Sequence, residues 1–234
     1  MNQRSMECLF AEGLLRWHSS RGERTENRFW WRKSTDPYQI FVSEVLLART
    51  RADRVAPISR ELVRRWPSFC QLSQADVSTL EQILRPLGFH RVRAKALVAA
   101  AAEVCERWGG ALPMDAEFIA KLPRSGRYVA NAVLAYARCE RRVAVDVNVA
   151  RVLSRTFGLP VGRELHKDEA MWSLASNVAR CVQGCQIREL NWSLLDVGRE
   201  VCTPRAPRCH ICPVADICSY RRATEAKPQN STLL

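Results

Sequence analysis

The sequence predicts an all-α protein, and three observations carry that reading. From Pro37 to about Val201 the apolar residues recur at helical spacing, the segments between them are short turns marked by Gly or Pro, and period-two stretches joined by hairpin turns are scarce. Asp36 stands where an N-cap belongs, directly before Pro37, whose ring presets the first helical position. The helix so opened runs on through Ile40, Phe41, Glu44 and Leu47. A second helix, Ala-rich, covers 91–108 and is stopped by Gly109-Gly110. Further helices are expected at 116–122, 127–137, 147–156, 168–182 and 189–201. The last twelve residues, ATEAKPQNSTLL, are small and polar and read as a frayed tail.

The chain has 234 residues, enough for one large domain or two small lobes. Its 36 Lys and Arg against 24 Asp and Glu give a net charge of +12, which points to a polyanionic partner, nucleic acid being the commonest. No apolar run approaches the roughly 18–20 residues needed to cross a bilayer, and the N-terminal segment lacks a signal-peptide pattern. The expectation is therefore a cytoplasmic protein. In that reducing compartment ten cysteines argue for a metal site rather than a disulfide framework.

Cys202, Cys209, Cys212 and Cys218 form C-x6-C-x2-C-x5-C within seventeen residues. Four thiolates on so compact a loop suit a [4Fe–4S] cluster. Zinc modules more often pair two C-x2-C knuckles across a longer insert, and here only Cys209 and Cys212 make one. The other six, Cys8, Cys70, Cys105, Cys139, Cys181 and Cys185, read as small core hydrophobes. Between the first two ligands two prolines stiffen a loop carrying Arg205 and Arg208, residues suited to contact phosphate.

The segment Leu122-Pro123-Arg124-Ser125-Gly126-Arg127-Tyr128 lies between two helical stretches. A turn that opens a helix offers free backbone N–H groups and the positive end of the dipole, and so suits a DNA phosphate; it would equally serve as a plain two-helix turn. Asp146, before the helix at 147–156, could be no more than an N-cap. Glu44 is odder, because it shares a helix face with Ile40, Phe41 and Leu47. A carboxyl buried there favours its protonated form and can act as an acid, unless it merely snorkels to the edge of the core.

Taken together, the hairpin LPRSGRYVANA, the stretch VAVDVNVARV, the segment GFHRVRAKAL and the cysteine spacing resemble the helix-hairpin-helix-Gly/Pro-Asp superfamily of DNA glycosylases that carry an iron–sulfur loop. The likeness runs from about Leu14 to Tyr220. It implies a two-lobed helical glycosylase domain over 1–222. A bundle bearing the hairpin would span 37–140, and the N-terminal segment would join 141–222 in the cluster-bearing lobe. It also implies a monomer acting in base excision repair on double-stranded DNA with a mispaired or damaged base.

Residue by residue, the resemblance makes Glu44 the acid that assists departure of a flipped base and Asp146 the carboxylate that stabilises the sugar cation. Tyr128 and Asn148 would orient these groups. Arg49, together with Phe89 or His90, would wedge into the duplex, and Arg124, Ser125, Gly126 and Arg127 would hold a phosphate. Endonuclease III relatives carry a lysine two residues after the hairpin's last glycine; Tyr128 stands there, which implies base removal without strand nicking. Ala48-Arg49-Thr50 replaces the two glutamines usual before that threonine in adenine glycosylases, and the chain ends sixteen residues after Cys218, where those enzymes add a domain. Both favour thymine or uracil opposite guanine as the substrate. The alternatives are adenine opposite guanine or 8-oxoguanine, and a non-catalytic iron–sulfur DNA-binding module. One departure from the family pattern bears on the hairpin: Arg124-Ser125 stands where Gly-Val is usual, so Arg124 must either relax the turn or accept a strained backbone of about 1 kcal/mol.

Overall fold

A computed structural model describes residues 5–22, 29–160, 164 and 167–226. Among the described residues twelve α-helices follow one another: α1 Met6–Ser20, α2 Pro37–Leu47, α3 Ala52–Arg65, α4 Phe69–Ser73, α5 Val77–Leu84, α6 His90–Trp108, α7 Ala116–Lys121, α8 Gly126–Arg138, α9 Val147–Phe157, α10 Glu169–Arg180, α11 Gln186–Glu200 and α12 Ser219–Glu225. There is no strand among the described residues, and no helix there is long and apolar enough to cross a membrane.

The helices group into two compact units, one of residues 22–144 and one of residues 1–21 with 145–234. In the first, α2 is the central element. Asp36 caps it by accepting from the Tyr38 amide at 2.9 Å, and it buries residues on every side, Ile40, Phe41, Val42, Glu44, Val45 and Leu46 among them. It packs on α3 and α8, while α4 and α5 pack on α6 and α7 packs on α8. In the second unit α1 and α9 pack on α11, with α10 against α1 and α9, and α12 against α9. The unusual Trp30-Trp31 pair serves packing: Trp31 is buried and stacks on Phe29, and the Trp30 indole N–H donates to the Ala56 carbonyl and the Ser59 hydroxyl.

The expected helices are present with ends that agree to within three residues. Several unexpected ones accompany them. α4 and α5 are too short for a period to show, and α3 is so charged that only Val55, Ser59 and Leu62 mark its buried face. The tail reading needs correction at its start, since Ala223–Glu225 continue α12, where Glu225 pairs with Arg221 at 2.7 Å; residues 227–234 lie outside the described residues.

The larger correction concerns the cysteines. The free ones are Cys202, Cys209, Cys212 and Cys218; the other six are in disulfide form rather than free thiols in the core. Packing of α1 on α10 carries Cys8 to Cys181, and packing of α4 on α6 carries Cys70 to Cys105, with Cα atoms 5.0 Å apart in each pair.

Candidate active site

Glu44 sits in the last two turns of α2 with 1% of its surface exposed. The Tyr128 hydroxyl, one turn into α8, donates to Glu44 Oε2 at 2.8 Å. Packing of α2 against α8 makes this pair possible, and it brings together two residues 84 apart in sequence. A buried carboxyl with one oxygen fixed by a phenol is oriented as well as dry, the state suited to proton transfer. Farther along α8, buried Asn131 donates from Nδ2 to the Val143 carbonyl at 2.9 Å and so anchors the backbone three residues before Asp146.

The hairpin joins α7 to α8 through a turn in which the Ser125 amide donates to the Leu122 carbonyl at 3.0 Å. Gly126 takes φ +76°, and Arg124 takes φ +60°, the left-handed conformation that a non-glycine residue resists. The turn has not relaxed. Arg124, Gly126 and Arg127 are exposed, and no side chain caps the start of α8. Ser125 Oγ, at the capping position, is buried without a hydrogen-bond partner.

Two loop tips in the same unit share this backbone feature: Arg49 after α2 has φ +57°, and Phe89 before α6 has φ +51°. Both side chains point to solvent, Phe89 with 66% of its surface exposed; His90 is half-buried.

In the other unit Asp146 caps α9. Its Oδ1 accepts from the amides of Asn148 and Val149, each at 2.8 Å, and its Oδ2 accepts from Asn148 Nδ2 at 2.9 Å. The N-cap reading is thus correct as geometry, and it leaves a half-buried carboxylate at the positive end of a helix. Arg151 continues the chain of contacts, donating from Nη2 to Asn148 Oδ1 at 3.0 Å and to the Gly198 carbonyl at 2.7 Å, and from Nε to the Cys202 carbonyl at 2.8 Å. A turn on, Arg155 donates to the carbonyls of Thr203 and Pro204 and lies over the Tyr220 ring at 4.5 Å. Sequence reasoning missed Asn131, Arg151 and Arg155, whose main partners are backbone carbonyls.

The four free cysteines line one small cavity, partly open to solvent, whose wall also includes Arg155, Arg208 and Arg221. Burial pushes the Cys212 thiol up to about 11 and raises Cys209 as well, so both keep their protons at neutral pH until a metal displaces them. An all-sulfur donor set walled by guanidinium groups fits an anionic iron–sulfur cluster. Arg205 and Arg208 are both exposed, and the Arg208 guanidinium also donates to the Glu200 carbonyl at the end of α11.

Comparison with known proteins agrees with this arrangement. Residues 42–175 match the model of the HhH-GPD superfamily base excision DNA repair proteins, and residues 202–218, from the first free cysteine to the last, match the iron–sulfur binding domain of endonuclease III. A thymine/uracil-DNA glycosylase of Pyrobaculum aerophilum is 34% identical over 92% of this chain and 93% of its own. A thymine-DNA glycosylase of Aeropyrum pernix is 34% identical over 88% and 92%. The structure of a thermostable thymine-DNA glycosylase superposes with a TM-score of 0.82 at 30% identity, covering 93% of this chain and 97% of that one. On sequence and on structure, the chain belongs to the HhH-GPD superfamily of base excision DNA repair proteins.

Proposed function

We propose that this protein is a monofunctional DNA glycosylase that hydrolyses the N-glycosidic bond of thymine or uracil mispaired with guanine and leaves the strand intact. The observation that carries the reading is the buried Glu44–Tyr128 pair: an acid held by a phenol at the position where lyase-active relatives would place an amine. The thymine- and uracil-directed relatives, which match this chain almost end to end, support the choice of base.

The mechanism follows from the groups present. A base inside a duplex is out of reach, so the target nucleotide is flipped out at a cost of a few kcal/mol, least at a mispair. Arg49 and Phe89, exposed on their two loop tips, enter the vacated stack with His90 beside them, and the uncapped start of α8, with Arg124 and Arg127, holds a backbone phosphate. Glu44 gives its proton to the base or hydrogen-bonds it, which makes the base a better leaving group. Asp146 stabilises the oxocarbenium-like sugar until water adds, a division of labour between two carboxyl groups known from sugar hydrolysis. Tyr128 orients the Glu44 carboxyl, and the Asn148 amide orients Asp146. Tyr128 carries no amine with which to form a Schiff base at the exposed sugar, so the product is an intact strand with an abasic site.

Cys202, Cys209, Cys212 and Cys218 hold a [4Fe–4S] cluster in this reading. When bound, the cluster supplies metal–thiolate bonds that fold the 202–218 loop, from which Arg205 reaches phosphate.

The test is a panel of G·T, G·U, A·G and A·8-oxoguanine duplexes incubated with the protein and analysed with and without alkali. Product from G·T and G·U that appears only after alkali is the expected result. Cleavage of the adenine duplexes alone would replace the substrate, and nicking without alkali would overturn the monofunctional reading.

A further inference from the structure

Arg93 has 1% of its surface exposed and is among the largest fully buried side chains of the protein. Its guanidinium meets carbonyls and one hydroxyl: Nε donates to Gly88 O at 3.1 Å, Nη1 to Leu46 O at 2.8 Å, and Nη2 to Ala48 O at 2.9 Å and Thr50 Oγ1 at 2.6 Å. No ion pair to a carboxylate is found for it among the described residues. Burial, with Arg124 adding to it, pushes its pKa down. It also stands in the first turn of α6, the end of a helix that disfavours a cation. A buried charge compensated only by dipoles is costly. The protein places it at the junction of two loops, Leu46–Thr50 and the segment ending at Gly88, whose next residues, Arg49 within the first and Phe89 after the second, both hold the strained left-handed backbone.

We propose that Arg93 is a positioning residue that clamps these two loops into one rigid pair, so that Arg49 and Phe89 enter the duplex together. The fork geometry of the guanidinium suits this task, since one planar group satisfies acceptors from both loops at fixed angles; a lysine has the charge but not the fork. Two strained tips on separate flexible loops would relax independently, and the wedge would then have to be ordered at each encounter. The proposal rests on the assignment of Arg49 and Phe89 as the wedge, and its test separates the two.

The probe is a G·T duplex with 2-aminopurine next to the mispair, whose fluorescence rises as the stack opens. Arg93→Lys and Thr50→Val are compared with Arg49→Ala, Phe89→Ala and the double variant Phe89→Ala with Arg93→Lys. Circular dichroism checks the fold and fluorescence anisotropy checks duplex affinity. Arg93→Lys is expected to keep the helical spectrum and most of the affinity while the fluorescence rise falls roughly threefold or more. Thr50→Val, which removes only the side-chain acceptor, is expected to fall less, and it carries the test if Arg93→Lys does not fold. Once Phe89 is gone, adding Arg93→Lys should cost clearly less than it does alone, because only the Arg49 loop is then left for the clamp to position. A full rise in Arg93→Lys, or in Thr50→Val where that variant carries the test, alongside a lost one in Phe89→Ala overturns the clamp and leaves the wedge standing. Fully additive losses also overturn it. A full rise in both Arg49→Ala and Phe89→Ala removes the wedge itself.

Discussion

Arg151 Nη2 lies 3.0 Å from Asn148 Oδ1, and that hydrogen bond decides which way round the amide sits. A guanidinium only donates, so the oxygen of Asn148 must face Arg151 and its Nδ2 is left to donate to Asp146 at 2.9 Å. The same guanidinium donates to the carbonyl of Cys202, so the carboxylate assigned to catalysis and the first cysteine of the cluster loop are tied to one side chain. Arg151→Met should therefore lower single-turnover base release on the order of tenfold or more while duplex binding changes little. The ratio of rate to affinity checks this. Absorbance near 400 nm shows whether the cluster loop has been loosened as well.

Asp146→Asn keeps an acceptor for the two amides that Asp146 caps, so α9 should survive. The charge is lost, and with it the stabilisation of the sugar cation. Base release is expected to fall by at least about a thousandfold, with mismatch binding equal to or tighter than before, since a like charge beside DNA is gone. Retained turnover would refute the assignment of Asp146.

Tyr128→Lys tests the Glu44–Tyr128 pair. An amine there, beside Glu44, should add strand nicking, detected as alkali-independent product and as a borohydride-trapped covalent complex. Tyr128→Phe removes only the bond to Glu44 and should slow base release by about tenfold with no nicking.

The sequence made part of this legible because local chemistry has letters of its own. Asp36-Pro37 marks where α2 begins, the placement of Glu44 among Ile40, Phe41 and Leu47 marks its burial, and the four-cysteine spacing marks the loop. Arg93, Arg151 and Arg155 were illegible for the opposite reason. In so basic a chain three more arginines on helices look like solvated charge, and their partners are carbonyl groups on segments up to 51 residues away. The cysteine pairs were hidden likewise, since Cys8 and Cys181 stand 173 residues apart and meet only through the packing of α1 on α10. Arg124 was half legible: the residue change implied strain or a relaxed turn, and only its φ of +60° decides between them.

Gly198 offers a test of how closely the second unit must fit. A Cβ built there would lie 3.0 Å from Asn148 Cβ and 3.1 Å from the Asn148 carbonyl oxygen, contacts that rarely occur, and two of the atoms in the way belong to α9 backbone that cannot swing aside. In the interior of a helix Ala is intrinsically better than Gly by about 1 kcal/mol, so propensity alone says that Gly198→Ala should stabilise α11. Packing says that α9 must shift, carrying Asn148 and the Asp146 carboxylate with it. Activity should fall on the order of tenfold or more even where the melting temperature changes by only a few degrees. An unchanged rate in a stabilised variant would mean that the two helices separate without disturbing the carboxylate.

Glu200 gives the pH dependence. Burial opposes its ionisation, but ion pairs with Arg21 at 2.7 Å and Arg199 at 2.7 Å outweigh that and bring its carboxyl down to about 2 from an ordinary value near 4.5. A carboxyl whose pKa is lower folded than unfolded contributes stability above the unfolded value and loses it as the proton returns. The contribution is therefore complete above about pH 5 and should decline between pH 4.5 and 2, the window set by those two values. Chemical denaturation of the wild type and Glu200→Gln across pH 7 to 3 checks this. The variant should be the less stable at neutral pH, and the gap between the two should narrow as the solution is acidified through that window. A gap that stays constant down to pH 3 would show that the two arginines do not hold the carboxylate in solution.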